Sequence, residues 1–230
     1  MKKYIYILIT LFSLSLSAQE LFWYDVLLEV EGEDITEFEK TVDAYYSSVD
    51  FPEDVTMTFS SIGLKGQGFE ETHILSFVSP SSQSLANLRA SLSGEKWENY
   101  LDLVRPLVDN VRVSAGNASK VFNAEEFYPI GQVWGFKVKS KYIPQFTVAF
   151  EKLMQTFDAP GFVGLANVTH GISNGENLLI YGTYPDLNSA FTFGPNNEAE
   201  AGAFAEFFNV TGEISEFTQS WTRVKIQDYN

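Results

Sequence analysis

The sequence contains no cysteine, which removes disulfides, thiolate nucleophiles and cysteine-ligated metal centres from consideration. Histidine is nearly as scarce, with only His73 and His170. No spacing of His, Asp and Glu matches a metal site, so no metal ligand is expected. No phosphate-cradling loop occurs, and Gly66-Gln67-Gly68 reads as a turn. Basic residues are few: 15 Lys and Arg stand against 30 Asp and Glu, a net charge of −15. Such a chain repels a phosphate backbone, so a nucleic-acid partner is not expected. Beyond the first 18 residues no apolar run approaches the roughly 18 residues a membrane helix needs, so no membrane span is expected.

What is plentiful is buried-type side chain. Twenty Phe, 11 Tyr and 4 Trp in 230 residues exclude a disordered chain and leave room for one or two packed domains. Lys2 and Lys3 precede an apolar run, Tyr4 to Phe12, and small residues from Ser13 to Ala18. This is the pattern of a secretory signal peptide spanning 1–18. Cleavage is expected near Ala18, leaving a periplasmic or secreted product with a charge of −17.

The chain also repeats itself. Residues 29–63 align without a gap on 137–171 at an offset of 108, with 7 identities in 35, including Ile35/Ile143, Phe38/Phe146 and Pro52/Pro160. Further along, Pro80 matches Pro185, Trp97 matches Phe208, and Arg112-Val113 matches Arg223-Val224. The alignment makes 22–115 a first unit, 116–128 a linker and 129–229 a second unit.

Each unit reads in the same order. Val26–Glu31 alternates as a strand. A helix follows, with Asp34 as its expected N-cap and Ile35, Phe38, Val42, Tyr45 and Val49 on one face. Val55–Leu64 and Thr72–Val78 read as a hairpin, Leu85–Val108 as helix broken near Gly94, and Val111–Ala115 as a strand. In the second unit the same elements are Gln132–Lys139, Ile143–Phe157, Phe162–Thr169, Leu178–Tyr184, a broken helical stretch Leu187–Phe217, and Trp221–Gln227. That order is βαββαβ, so an α+β fold of two tandem ferredoxin-like units is expected.

Two such units in tandem resemble the dimeric α+β barrel superfamily, which includes the antibiotic-biosynthesis monooxygenase-like proteins. The closest local likeness is Ile74–Pro80 followed by a helix ending Glu95-Lys96-Trp97-Glu98-Asn99-Tyr100-Leu101. The resemblance covers nearly all of 22–229. It implies two sheets packed face to face within one chain, around a cavity that some members use for small lipophilic ligands. Haem-using relatives carry a histidine on the second helix of a unit. Here neither second helix has one, so no haem and no other cofactor is expected.

Three groups of residues are candidates for chemistry or assembly. His170 and Tyr181 are the candidate catalytic pair, with His170 a neutral general base at pH 7. Trp134, Asn167, Lys137 and Arg223 are candidate ligand-binding residues. Asn167 and His170 differ in strand parity, so they share a face only across a bulge. Glu29, Glu31 and Glu33 form an acidic row opposite an aligned basic row of Lys137, Lys139 and Lys141, which Arg223 and Lys225 would extend. Residues 19–119 hold 6 basic and 18 acidic side chains, and 120–230 hold 7 and 12. The two halves therefore carry −12 and −5, a contrast that would favour pairing unlike halves into a monomeric pseudo-dimer or a homo-oligomer; the alternative is that both rows simply face water, where ion pairs contribute about 0–1 kcal/mol. The functional expectation is a small-molecule-binding barrel, catalytic as a cofactor-independent monooxygenase on a lipophilic compound. The alternative is a non-catalytic binding or assembly module of the cell envelope.

Overall fold

The structure is a computed structural model that describes residues 20–230. The expected signal peptide lies outside the described residues. The first unit runs β1 (Leu21–Glu29), α1 (Ile35–Tyr46), β2 (Thr56–Lys65), β3 (His73–Ser79), α2 (Ser82–Ser91), α3 (Glu95–Val104) and β4 (Asn110–Phe122). The second runs β5 (Ile130–Val138), α4 (Ile143–Met154), β6 (Val163–His170), β7 (Leu178–Tyr184), α5 (Leu187–Phe191), α6 (Glu198–Ile214) and β8 (Ser215–Tyr229). Both units have the βαββαβ order, the second helical element being split in each.

The eight strands close into one antiparallel barrel in the order β1-β3-β2-β8-β5-β7-β6-β4. Each unit contributes a four-stranded sheet with its first strand between its third and fourth. The sheets join edge to edge at two seams, β2 with β8 and β4 with β6. Strand alternation then sorts every side chain to one of two places. Leu21, Trp23, Asp25 and Leu27 face the barrel interior, whereas Tyr24, Val26 and Leu28 face the helices outside.

Two aromatic-rich cores lie between sheet and helices, one per unit. In the first, Phe38, Val42 and Tyr46 of α1 pack on Met57, Phe59 and Phe77. In the second, Phe146, Phe150 and Leu153 of α4 pack on Leu165, Leu178 and Phe207. Helix starts are set by side-chain oxygens at three of the later helices. Ser81 accepts from the Ser84 amide, Asp186 from that of Ser189, and Asn197 from that of Glu200. Asp34 does not behave that way; its backbone is helical and its side chain caps nothing.

Several expectations from sequence change. Residues 116–122 continue β4 and pair with β6 instead of forming a linker, leaving 123–129 as the connection. Ladder hydrogen bonds come from the backbone, so the polar stretch Gly116-Asn117-Ala118-Ser119-Lys120 extends a strand without a hydrophobic pattern. The repeat offset of 108 holds between β1 and β5 and between α1 and α4. It becomes 105 for β3 and β7, because Leu28 pairs with His73 and Phe136 with Leu178. It becomes 106 for β2 and β6, because Met57 pairs with Phe77 and Val163 with Gly182. In the last strands Trp23 pairs with Gly116 and Gly131 with Arg223. Arg223 therefore corresponds to Gly116, and its sequence match to Arg112 is out of register.

The two charged rows do not meet. β1 and β5 are diametrically opposed in the barrel, and Glu31, Glu33, Lys139 and Lys141 lie beyond the ends of their strands. Lys137 instead pairs with Glu216 of its own unit at 3.5 Å, and Arg223 is buried inside the barrel. Between the units, Thr58 donates to Asp228 at 2.8 Å, Tyr229 donates to Asp43 at 2.9 Å, and Lys120 pairs with Glu151.

Candidate functional site

The two units differ where their sheets meet their helices. At the offset that relates β3 to β7, Phe77 and Gly182 hold the same position. Phe77 is buried, with its ring 5.4 Å from that of Tyr24 and 6.0 Å from that of Tyr46. Tyr46 packs edge-on to Tyr100, which stacks on Tyr45 at 4.3 Å, so the first unit's core is filled by aromatic rings. Gly182 contributes no ring. A cavity of about 100 Å³ opens over it, bordered by Trp134, Phe157, Ile180, Tyr184, Phe193 and Phe204 among others.

Each wall of this pocket has a local origin. Ile180, Gly182 and Tyr184 alternate on the helix-facing side of β7, and Trp134 lies beside them on β5. Phe157 follows α4. Phe193 lies in the break between α5 and α6, 37% exposed, with rings of Trp134, Phe157, Tyr184 and Phe204 all within 6 Å. Phe208, 61% exposed, completes the rim from α6. The lining is apolar apart from the Trp134 indole and the Tyr184 hydroxyl.

Tyr184 is 1% exposed, and a Cβ on Gly182 would lie 3.5 Å from its hydroxyl oxygen. Burial alone pushes its pKa above the ordinary tyrosine value, with no charge or hydrogen bond contributing. The phenol therefore stays protonated at neutral pH and offers a hydrogen-bond donor in an apolar setting. Neither histidine borders this pocket, so it presents no imidazole to a haem iron.

The residues singled out from sequence fall in five places. Tyr181 and Arg223 meet inside the barrel, where the guanidinium donates to the Tyr181 hydroxyl and, at 2.5 Å, to Ser60. Trp134 faces the opposite way, into the pocket over Gly182. His170 ends β6, exposed, with Nδ1 3.0 Å from Thr169 Oγ1. Asn167 lies in the β4–β6 seam opposite Asn117, and exposed Lys137 pairs with Glu216. Sequence reading missed Gly182 and Tyr184, although the alternation of Leu178, Ile180, Gly182 and Tyr184 was there to place them on one face. It also missed Asp25, an acid in the otherwise apolar row Leu21, Trp23, Leu27.

The sequence matches no protein-family model, and no curated protein matches it. The fold does match solved structures. A candidate monooxygenase from Fusobacterium nucleatum superposes with a TM-score of 0.64 at 13% identity, over 92% of this chain and 94% of that one. A candidate monooxygenase from Lactobacillus acidophilus gives 0.61 at 11% identity, over 91% and 96%. An anthrone oxidase-like protein gives 0.61 at 11%, over 92% and 93%. The chain has the dimeric α+β barrel fold, built from two ferredoxin-like units in one polypeptide.

Proposed function

We propose that the pocket over Gly182 binds a small lipophilic aromatic compound bearing one oxygen acceptor, and that the protein is a cofactor-independent, monooxygenase-like enzyme. The observation that carries this reading is the opening of the second unit's core by Gly182 where Phe77 closes the first. The closed part of the pocket has less volume than the roughly 150 Å³ cavity known to take benzene. It therefore admits the edge of one ring, and Phe193 and Phe208 at the rim stack on the remainder. Tyr184 donates to the acceptor oxygen.

For a ketone whose CH₂ group is made acidic by conjugation with the carbonyl through a fused ring, as in an anthrone, that donor stabilises the enolate formed when the CH₂ proton passes to water. Dioxygen then attacks the activated carbon. One oxygen atom ends as the new carbonyl; the other leaves as water with the two hydrogens of the CH₂ group. The fold likeness to an anthrone oxidase-like protein supports this choice of reaction. Among the lining residues none is a base, which favours the second reading, a binding protein without turnover. Export to the periplasm or beyond is part of the proposal, and it predicts a mature chain beginning at Gln19.

Anthrone is the probe. Under air at pH 7.5 it should quench tryptophan fluorescence and consume one dioxygen per molecule converted. Gly182→Phe should abolish both while leaving the circular dichroism spectrum unchanged. Quenching without oxygen uptake supports the binding reading, and absence of quenching overturns the site.

A further inference from the structure

The barrel interior holds a second cavity, of about 90 Å³, that is separate from the pocket over Gly182. Its walls include Trp23 and Asp25 of β1, Ser76 of β3, Tyr181 of β7 and Arg223 of β8, with Phe127 from the connection between units. Arg223 is 3% exposed and is held in place from three sides. It donates to Ser60 and Tyr181, and its guanidinium lies 5.4 and 5.8 Å from the ring centres of Tyr181 and Phe127. Those two hydrogen bonds use two of its five N–H groups.

Asp25 faces the same cavity and feels the charge of Arg223, yet the two form no ion pair among the described residues. An acid and a base thus share an aromatic-lined space with a gap between them. The Trp23 indole N–H, in the same wall, is buried with no hydrogen-bond partner. Asp25 and Arg223 sum to zero charge. A charged guest would leave an uncompensated buried charge, whereas a neutral one would not.

We infer that this cavity is a binding site for a small neutral molecule whose hydroxyl or carboxamide head bridges Asp25 and Arg223. The head accepts from the guanidinium and donates to the carboxylate, and a short apolar tail lies against Phe127 and Trp221. A volume near three times water's share of about 30 Å³ limits the guest to a few heavy atoms. The site spans both units and has no pseudo-symmetric copy, because Val133 stands at the position corresponding to Asp25 and Gly116 at that of Arg223.

Saturation-transfer NMR on the full chain at pH 7.5 tests it, with propionamide, propan-1-ol, propionate and propylammonium as probes. Propionamide and propanol should bind, and the two ions should bind at least tenfold more weakly. Asp25→Asn should weaken propanol about tenfold, the ratio expected when a hydrogen bond to a charged group is replaced by one to a neutral group. Gly182→Phe should leave these signals unchanged, which separates this site from the pocket proposed above. No transfer to either neutral probe, or preferred binding of propionate, overturns the inference without requiring any variant to fold.

Discussion

Gly131 of β5 lies directly opposite Arg223 of β8, and the guanidinium fills the space that a side chain at 131 would need. The corresponding pair in the first unit is inverted: Trp23 is the large partner and Gly116 the small one. One large side chain per pair fits within the barrel, contributed by β1 in one unit and by β8 in the other. A Cβ at 131 would meet the Tyr181 hydroxyl at 2.5 Å and Arg223 Nε at 2.8 Å. Gly131→Ala should therefore cost about 1–3 kcal/mol, read as a lower urea midpoint. Gly116→Ala should cost more, because its Cβ would lie 1.8 Å from the backbone oxygen of Asn167. Equal, unchanged midpoints would refute the pairing.

The Phe77–Gly182 correspondence predicts opposite outcomes in the two units. Phe77→Ala should lose about 3–5 kcal/mol, the usual cost of emptying a buried phenylalanine site. Gly182→Phe should leave the urea midpoint unchanged or raised, since the first contacts at 182 are at an ordinary 3.5 Å and a cavity of about 100 Å³ lies over it. A strongly destabilised Gly182→Phe would mean that the cavity is not available volume.

Asp25 titrates abnormally. Burial raises its pKa from 3.8 to about 6, against the opposing effects of the Ser76 hydroxyl and of Arg223. The folded state thus holds the Asp25 proton more tightly than the unfolded chain, and stability falls as pH rises from about 4 to about 6. Besides Arg223, the charged side chains lining the two ends of the interior are Arg112 and Glu176. Asp25→Asn should match wild type near pH 3.5 and exceed it at pH 8 by up to about 3 kcal/mol. A constant difference across that range would place the carboxyl in water.

His73 shifts the other way. It is 1% exposed between the rings of Phe38 and Phe59. Burial lowers its pKa and Lys65 adds to that, while Glu39, 3.4 Å from Nε2, opposes it. The unfolded chain therefore takes up the proton first, and stability is lost as pH falls below about 6.5. Between pH 7.5 and 5.5 the urea midpoint of wild type should fall relative to that of His73→Phe, which has no proton to gain. Parallel midpoints would show that the imidazole is free to charge in the folded state.

Much of the fold was legible in local patterns. The alternation of β7 gave its limits, Leu178–Tyr184, without error, and Gly94 marks the break between α2 and α3. What sequence could not place was register. A two-residue difference in the loops before β2 and β6 preserves strand parity, so the gapless alignment looked sound while pairing the wrong residues. The Arg112/Arg223 match failed for the same reason, since equal neighbours in sequence say nothing of height in a barrel. Tyr181 was singled out beside His170, and Arg223 as an extension of the lysine row; neither reading placed the two together inside the barrel, where the fold brings them. Gly182 was not singled out, because a missing side chain has no hydrophobic signature until its counterpart, Phe77, is known.

The seam between β2 and β8 joins Met57 to Tyr229 and Thr58 to Asp228. The strand that completes the barrel is thus the last of the eight in chain order. A first unit that has folded presents β2 and β4 as bare edges until the second unit arrives, and each edge is a template for a strand from any neighbouring copy. Contacts spanning such separations form slowly. Carrying both units on one polypeptide makes closure independent of concentration, but it sets up a kinetic contest between intrachain closure and strand exchange with a second molecule.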